Sequence, residues 1–224
     1  AGILGRMKRL GRAAAKVVRP SSGPLAVRWN VTSRCPWNCA YCGLADHWKK
    51  TSEMTPAEAL AFIDDLARWG VQALSLSGGE PLMRPDFDDL VARAVGHGIP
   101  TSINTSGFGV ERHAAALGRL SMVKLSIDGP EAVHDAGRGR GSYGMAFRAG
   151  EFLAAQGVPM RLTATLAKES TTVEAVDHVL GLARRWGCAA NFQAYHAHGS
   201  LDGQQRHGAE DEALDRVLDH LADR

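Results

Sequence analysis

The sequence predicts an α/β fold built on a parallel sheet. Three observations carry that prediction: six short apolar runs recur along the chain, each is followed by a stretch of helical periodicity, and 224 residues suffice for one sizeable core. The strand-like runs fall at about 27–32, 72–77, 99–105, 122–127, 160–166 and 190–195. The helical patterns fall at about 56–69, 86–97, 110–119, 143–156, 173–186 and 209–222. Alternation of this kind implies right-handed crossovers between parallel strands. Periodicity leaves two arrangements open, a doubly wound sheet with helices on both faces and a curved partial barrel with all helices outside. Under either, functional residues lie at the C-terminal ends of strands and in the loops that follow.

The elements justify themselves in order. Residues 3–18 read as a helix, with Ile3, Met7, Leu10, Ala14 and Val17 on one face, and Pro20, Ser21, Ser22, Gly23 and Pro24 break it. The division expected is therefore a basic amphipathic helix and linker over 1–24, then an α/β core over 25–224. In the first helix of the core, Thr55 is a good N-cap, Pro56 suits the first turn, Glu58 completes a capping box, and Leu60, Ile63 and Leu66 line one face. Gly70 suits its end.

Composition narrows the function classes. With 45% hydrophobic and 22% charged residues the chain is neither disordered nor a small disulfide scaffold. It has no apolar run of membrane-spanning length and no continuous apolar signal centre, so a cytoplasmic location is expected. The net charge of +2 conceals an asymmetry: Arg6, Lys8, Arg9, Arg12, Lys16 and Arg19 have no acid among them, which leaves −4 on the remainder. Such a body is no general binder of nucleic acid. The basic helix would suit a peripheral membrane contact through residues 3–18, or it covers the open end or side of the core.

Three of four cysteines, Cys35, Cys39 and Cys42, crowd into eight residues just past the first strand. Three thiolates on one loop suit a soft metal centre, with zinc and iron–sulfur both open. Zinc in a structural site wants a fourth ligand, for which His47 is nearest, and a zinc-stabilised binding module is the alternative function. Cys188, far away in sequence, reads as a buried small hydrophobe.

The pattern C-x-x-x-C-x-aromatic-C, followed after the second strand by Gly78-Gly79-Glu80-Pro81, resembles the radical S-adenosylmethionine (SAM) superfamily over residues 27 to about 195. That resemblance implies a partial (β/α)6 TIM-like barrel. It implies that Cys35, Cys39 and Cys42 bind a [4Fe-4S] cluster, that SAM chelates the iron left without a protein ligand, and that reductive cleavage yields a 5′-deoxyadenosyl radical which abstracts a substrate hydrogen. It also implies a flavodoxin or ferredoxin electron donor. The Gly78-Gly79-Glu80-Pro81 segment would meet the SAM amino group, Tyr41 would pack near the adenine, Ser126 would point to the ribose, and Asp128 would mark the end of the fourth strand. Arg138 matches an arginine that contacts the SAM carboxylate, with Arg140 its competitor.

Alternation puts Lys124, Ser126 and Asp128 on one face. Asn104 sits in Asn104-Thr105-Ser106-Gly107, a departure from the usual threonine-asparagine-glycine, and is expected with Thr105 to face the cavity; Thr165 and Gln193 are weaker candidates of that kind. Tyr195, His196 and His198 follow the last strand at the mouth of the barrel, and His47 and Trp48 lie just past the cysteines. The substrate expected is a peptide or an amphiphilic metabolite.

Overall fold

The computed structural model describes residues 24–42, 52–195 and 208–222. The expected helix over 3–18, and with it the membrane contact, lies outside them, as do His47, Trp48, His196 and His198. Six parallel strands form one sheet: β1 (Ala26–Thr32), β2 (Ala73–Gly78), β3 (Thr101–Thr105), β4 (Met122–Ser126), β5 (Met160–Leu166) and β6 (Ala189–Ala194). The helices are α1 (Pro56–Arg68), α2 (Phe87–Gly96), α3 (Ala114–Leu117), α4 (Glu131–Arg138), α5 (Ser142–Ala155), α6 (Val173–Arg185) and α7 (Asp211–Ala222).

Strand order decides between the two arrangements. It runs β1-β2-β3-β4-β5-β6 without reversal, so right-handed crossovers put successive helices on the same face, whereas a doubly wound sheet reverses direction at a switch point. The sheet also curls. Arg28 of β1 and Asn191 of β6 line one cavity, although a flat sheet would hold those strands roughly 24 Å apart at the usual inter-strand spacing. This is an open (β/α)6 barrel.

Alternation along each strand divides the two faces. Leu74, Leu76, Ile103, Val123, Leu125 and Leu162 point outward and are buried with Ile63 and Leu66 of α1, Leu90 and Val91 of α2, Leu153 of α5 and Val179 of α6. Each such side chain contributes about 1.5–3 kcal/mol by leaving water. The inward positions are largely polar. The barrel therefore rests on the layer between strands and helices, and its interior is left available for ligands.

Local signals account for the boundaries. The Thr55 hydroxyl accepts the Glu58 N–H while the Glu58 carboxylate accepts the Thr55 N–H at 2.8 Å, closing the capping box of α1. One expectation needs correction. The helix expected over 110–119 is a 3-10 turn, Val110–His113, followed by the four-residue α3. The segment Glu131–Arg138, to which the helical periodicity assigned no element, is the helix α4, whose two turns are too short to show a clear period. Cys188 packs against the core but is only partly buried.

Glycine is required where helices meet closely. A Cβ on Gly150 of α5 would lie 2.4–2.7 Å from the Trp186 ring, while one on Gly181 of α6 would meet nothing within 4 Å. Gly150→Ala should lower stability by about 1–3 kcal/mol through overpacking, and Gly181→Ala should raise it by about 0.5–1 kcal/mol through helix propensity. Denaturant midpoints at constant slope check both; a higher midpoint for Gly150→Ala would contradict the packing described.

Candidate functional site

The cysteine loop leaves the C-terminal end of β1 and is held on three sides. At its start, Glu53 accepts hydrogen bonds from the Thr32 hydroxyl (2.7 Å) and from the Ser33 N–H (2.9 Å) and hydroxyl (3.2 Å). On the β2 side, Gly79 N–H donates to Thr32 O and Glu80 N–H to Arg34 O, at 2.8 and 2.7 Å. A Cβ on Gly78 would lie 2.4 Å from Thr32 O and one on Gly79 2.2 Å from Arg34 O, and Gly78 has a φ of +119°. The glycine pair thus permits two backbones to touch.

Glu80 is fully buried and locks the next strand to the loop. It accepts from the Thr105 hydroxyl (2.8 Å), the Ser106 N–H (2.7 Å) and the Ser106 hydroxyl (2.5 Å), and Ser106 Oγ in turn accepts from Trp37 Nε1 at 3.1 Å. Burial pushes the Glu80 pKa up, against the pull of these donors. Ser106 and Trp37 were not among the residues expected from the sequence. Ser106 belongs to the segment where the sequence departs from the usual pattern, and that departure was its signal.

The third hold is Asp128, two residues past β4. Its carboxylate accepts from Tyr41 Oη (2.6 Å), Arg138 Nε (2.6 Å), Arg138 Nη2 (3.0 Å) and the Thr165 N–H (2.8 Å), while its own N–H donates to His134 Nδ1 (3.1 Å). The Arg138 guanidinium also lies 5.6 Å from the Tyr41 ring centre, and Ala40 N–H donates to Gly137 O at 2.8 Å. Burial raises the Asp128 pKa, but the Arg138 charge and the donated hydrogen bonds outweigh it and hold the carboxyl below its usual range. Tyr41 is pushed up, first by burial.

Cys35, Cys39 and Cys42 are free thiols that line one cavity of about 400 Å³, within the range of small-molecule sites. Tyr41, Gly78, Gly79, Glu80, Asn104, Ser126 and Arg138 line it too, with Ser77, Thr105, Ser106 and Trp37. Pro81 and Asp128, both expected at the site, stand behind the wall: Pro81 opens a buried 3-10 turn and Asp128 holds Tyr41 and Arg138. Asn104 Nδ2 donates to Ser77 Oγ at 3.2 Å. Arg140 is not among the lining residues, whereas Arg138 reaches the cavity with Nη1 still unused by Asp128. Tyr195 packs 6.0 Å from Tyr41, ring centre to ring centre.

Burial raises the Cys35 thiol and pushes Cys39 up to about 11. The positive charge of Arg138 opposes both shifts. Among the described residues no three His, Cys, Asp or Glu side chains gather closely enough to hold a single metal ion. A cubane spreads its ligand sulfurs across its own width, so three thiols around one cavity suit it, and the zinc reading finds no such gathering to rest on.

Residues 29–179 match the family model of the radical SAM superfamily, more than half of the chain. The chain belongs to the radical SAM superfamily. It is 33% identical over 171 residues to the mycofactocin maturase MftC of Mycobacterium ulcerans (strain Agy99), which covers 73% of this chain and 45% of that protein. It is likewise 33% identical over 171 residues to a PqqA peptide cyclase of Ruegeria pomeroyi, with the same coverage. The chain thus spans about half the length of these curated relatives. Among solved structures, Streptococcus suis SuiB bound to precursor peptide SuiA superposes on 98% of this chain and 50% of SuiB with a TM-score of 0.77 at 17% identity, a likeness of fold. No described helix of this radical SAM chain is long and apolar enough to cross a membrane.

His134 makes the hold on Asp128 pH-sensitive. Burial depresses its ring to about 4 from an ordinary 6.5, so it is neutral in the fold but takes up a proton on unfolding below pH 6.5. Its contribution is complete above pH 6.5 and is lost as pH falls toward 4, about 3 kcal/mol in all. Stability measured by denaturant unfolding from pH 7 to 4 should fall, and His134→Gln should flatten that part of the profile. An unchanged slope in the variant would contradict the assignment.

Proposed function

We propose that this chain is the catalytic core of a radical SAM enzyme that acts on a peptide. Cys35, Cys39 and Cys42 would hold a [4Fe-4S] cluster, and SAM would bind beside it in the cavity of about 400 Å³ that these thiols line. The cluster supplies one electron, received from a flavodoxin or ferredoxin, for cleavage of SAM to methionine and a 5′-deoxyadenosyl radical that takes a hydrogen from the substrate.

The observation that carries this reading is that three free thiols of one loop, the glycine pair at the end of β2 and the β4 serine all open on the same cavity. Ser126 offers a hydroxyl to the ribose, and the unused Nη1 of Arg138 offers a donor to the SAM carboxylate while Asp128 fixes its plane. Tyr41, tethered by its hydroxyl, presents a ring to the adenine. A peptide substrate is supported by the relative that cyclises the PqqA peptide and by the neighbour that binds precursor peptide SuiA.

Anaerobic reconstitution with iron and sulfide, followed by SAM and dithionite, should give a brown protein that forms 5′-deoxyadenosine and methionine. Replacing Cys35, Cys39 or Cys42 by alanine should reduce both bound iron and SAM cleavage to background, with the far-ultraviolet circular dichroism retained. Cleavage that survives in any one variant would overturn the ligand assignment.

A further inference from the structure

A second cavity of about 330 Å³ lies inside the barrel and shares Ser77, Asn104, Ser126 and Arg138 with the first. Besides Arg138, which Asp128 pairs, three cations line it: Arg28 of β1, Lys124 of β4 and Arg161 of β5. Arg28 and Arg161 stand in the N-terminal halves of β1 and β5, and Lys124 stands at the middle of β4 in register with Asn104, which lines both cavities. Lys124 precedes Ser126 by two residues, about 7 Å along the strand at the usual rise, so the cations adjoin the proposed SAM cavity.

This arrangement works against the fold. Lys124 and Arg161 are register partners on adjacent strands, where like charges repel. Arg28 adds to that repulsion, and burial, together with the charges of Arg28 and Arg161, holds the Lys124 pKa below its ordinary value. Among the described residues the lining holds no carboxylate and none of the three cations has a side-chain hydrogen bond or ion pair, although the chain carries 24 Asp and Glu. A barrel interior that serves stability is packed with branched apolar side chains. Here, Arg138 apart, the remaining lining is hydroxyl and amide, including Thr163, Thr165 and Asn191.

We propose that this recess binds carboxylate groups of the substrate on Arg28, Lys124 and Arg161. The inference rests on the functional reading above, which places SAM in the adjoining cavity. Carboxylate is favoured over phosphate because the strand N–H groups are spent in the sheet and, among the described residues, no helix N-terminus or backbone nest of the kind phosphate sites use lines the recess. Guanidinium forks and an ammonium match planar anionic oxygens. The carboxylate comes either from acidic side chains of a peptide or from a small molecule.

The test measures equilibrium binding to the reconstituted, SAM-loaded full chain of three probes at matched ionic strength: a capped triglutamate peptide, propane-1,2,3-tricarboxylate and inorganic phosphate. At least one carboxylate probe should bind tenfold or more tighter than phosphate, and the tighter of the two identifies the source. Lys124→Met and Arg161→Gln should each weaken that probe tenfold or more. Without probe, Lys124→Met should melt at the same temperature as the parent or higher, since a repulsion has been removed. Absence of carboxylate binding, equal binding by parent and both variants, or phosphate binding as tight as either carboxylate would overturn the proposal. Cluster content and SAM affinity are read on the same samples. Loss of those in the parent chain marks failure of the functional reading, whereas loss of carboxylate binding with both retained marks failure of this one.

Discussion

The buried carboxylate of Asp128 is the constraint on which the site depends. One side chain joins the end of β4 to the cysteine loop through Tyr41, to α4 through Arg138 and to β5 through the Thr165 N–H. A charge this deep is tolerable only because Arg138 pairs with it through two nitrogens and further donors complete its shell. Removal of either partner would strand the other, at a cost of about 3–5 kcal/mol for pairs of this kind. Because those partners also line the cavity, stability and site geometry are tied to the same atoms.

Glu80 plays the matching part at the other wall. Through Thr105, Ser106 and Trp37 it fastens the loop to β3, and the glycines before it let β2 lie against the loop backbone. The thiols are therefore presented by a short segment fixed at both ends to the sheet, which is how a scaffold holds a reactive group within a small error. The outward face of the sheet, packed on its helices, carries the stability, and that leaves the inward face free to be polar.

Much of this was legible in the sequence because it rests on period and spacing. All six strands, the capping box of α1 and the cysteine and glycine motifs declare themselves in local patterns. The choice of a barrel over a doubly wound sheet did not, since strand order is a long-range property. Asp128 was legible as a strand end but not as a hub, because its partners lie 87 and 37 residues away in Tyr41 and Thr165. Arg28 and Arg161 were overlooked although alternation in β1 and β5 puts them on the inward face with Lys124, since each alone looks like an ordinary surface cation.

The central claim is that the three thiols of this loop hold a cluster open to SAM in the cavity they line. Electron paramagnetic resonance of the dithionite-reduced, reconstituted chain tests it directly. The account predicts the signal of a reduced [4Fe-4S] cluster whose spectrum changes when SAM is added, as it must if SAM reaches an iron that lacks a protein ligand. A spectrum indifferent to SAM, or a colourless protein that retains zinc, would contradict it.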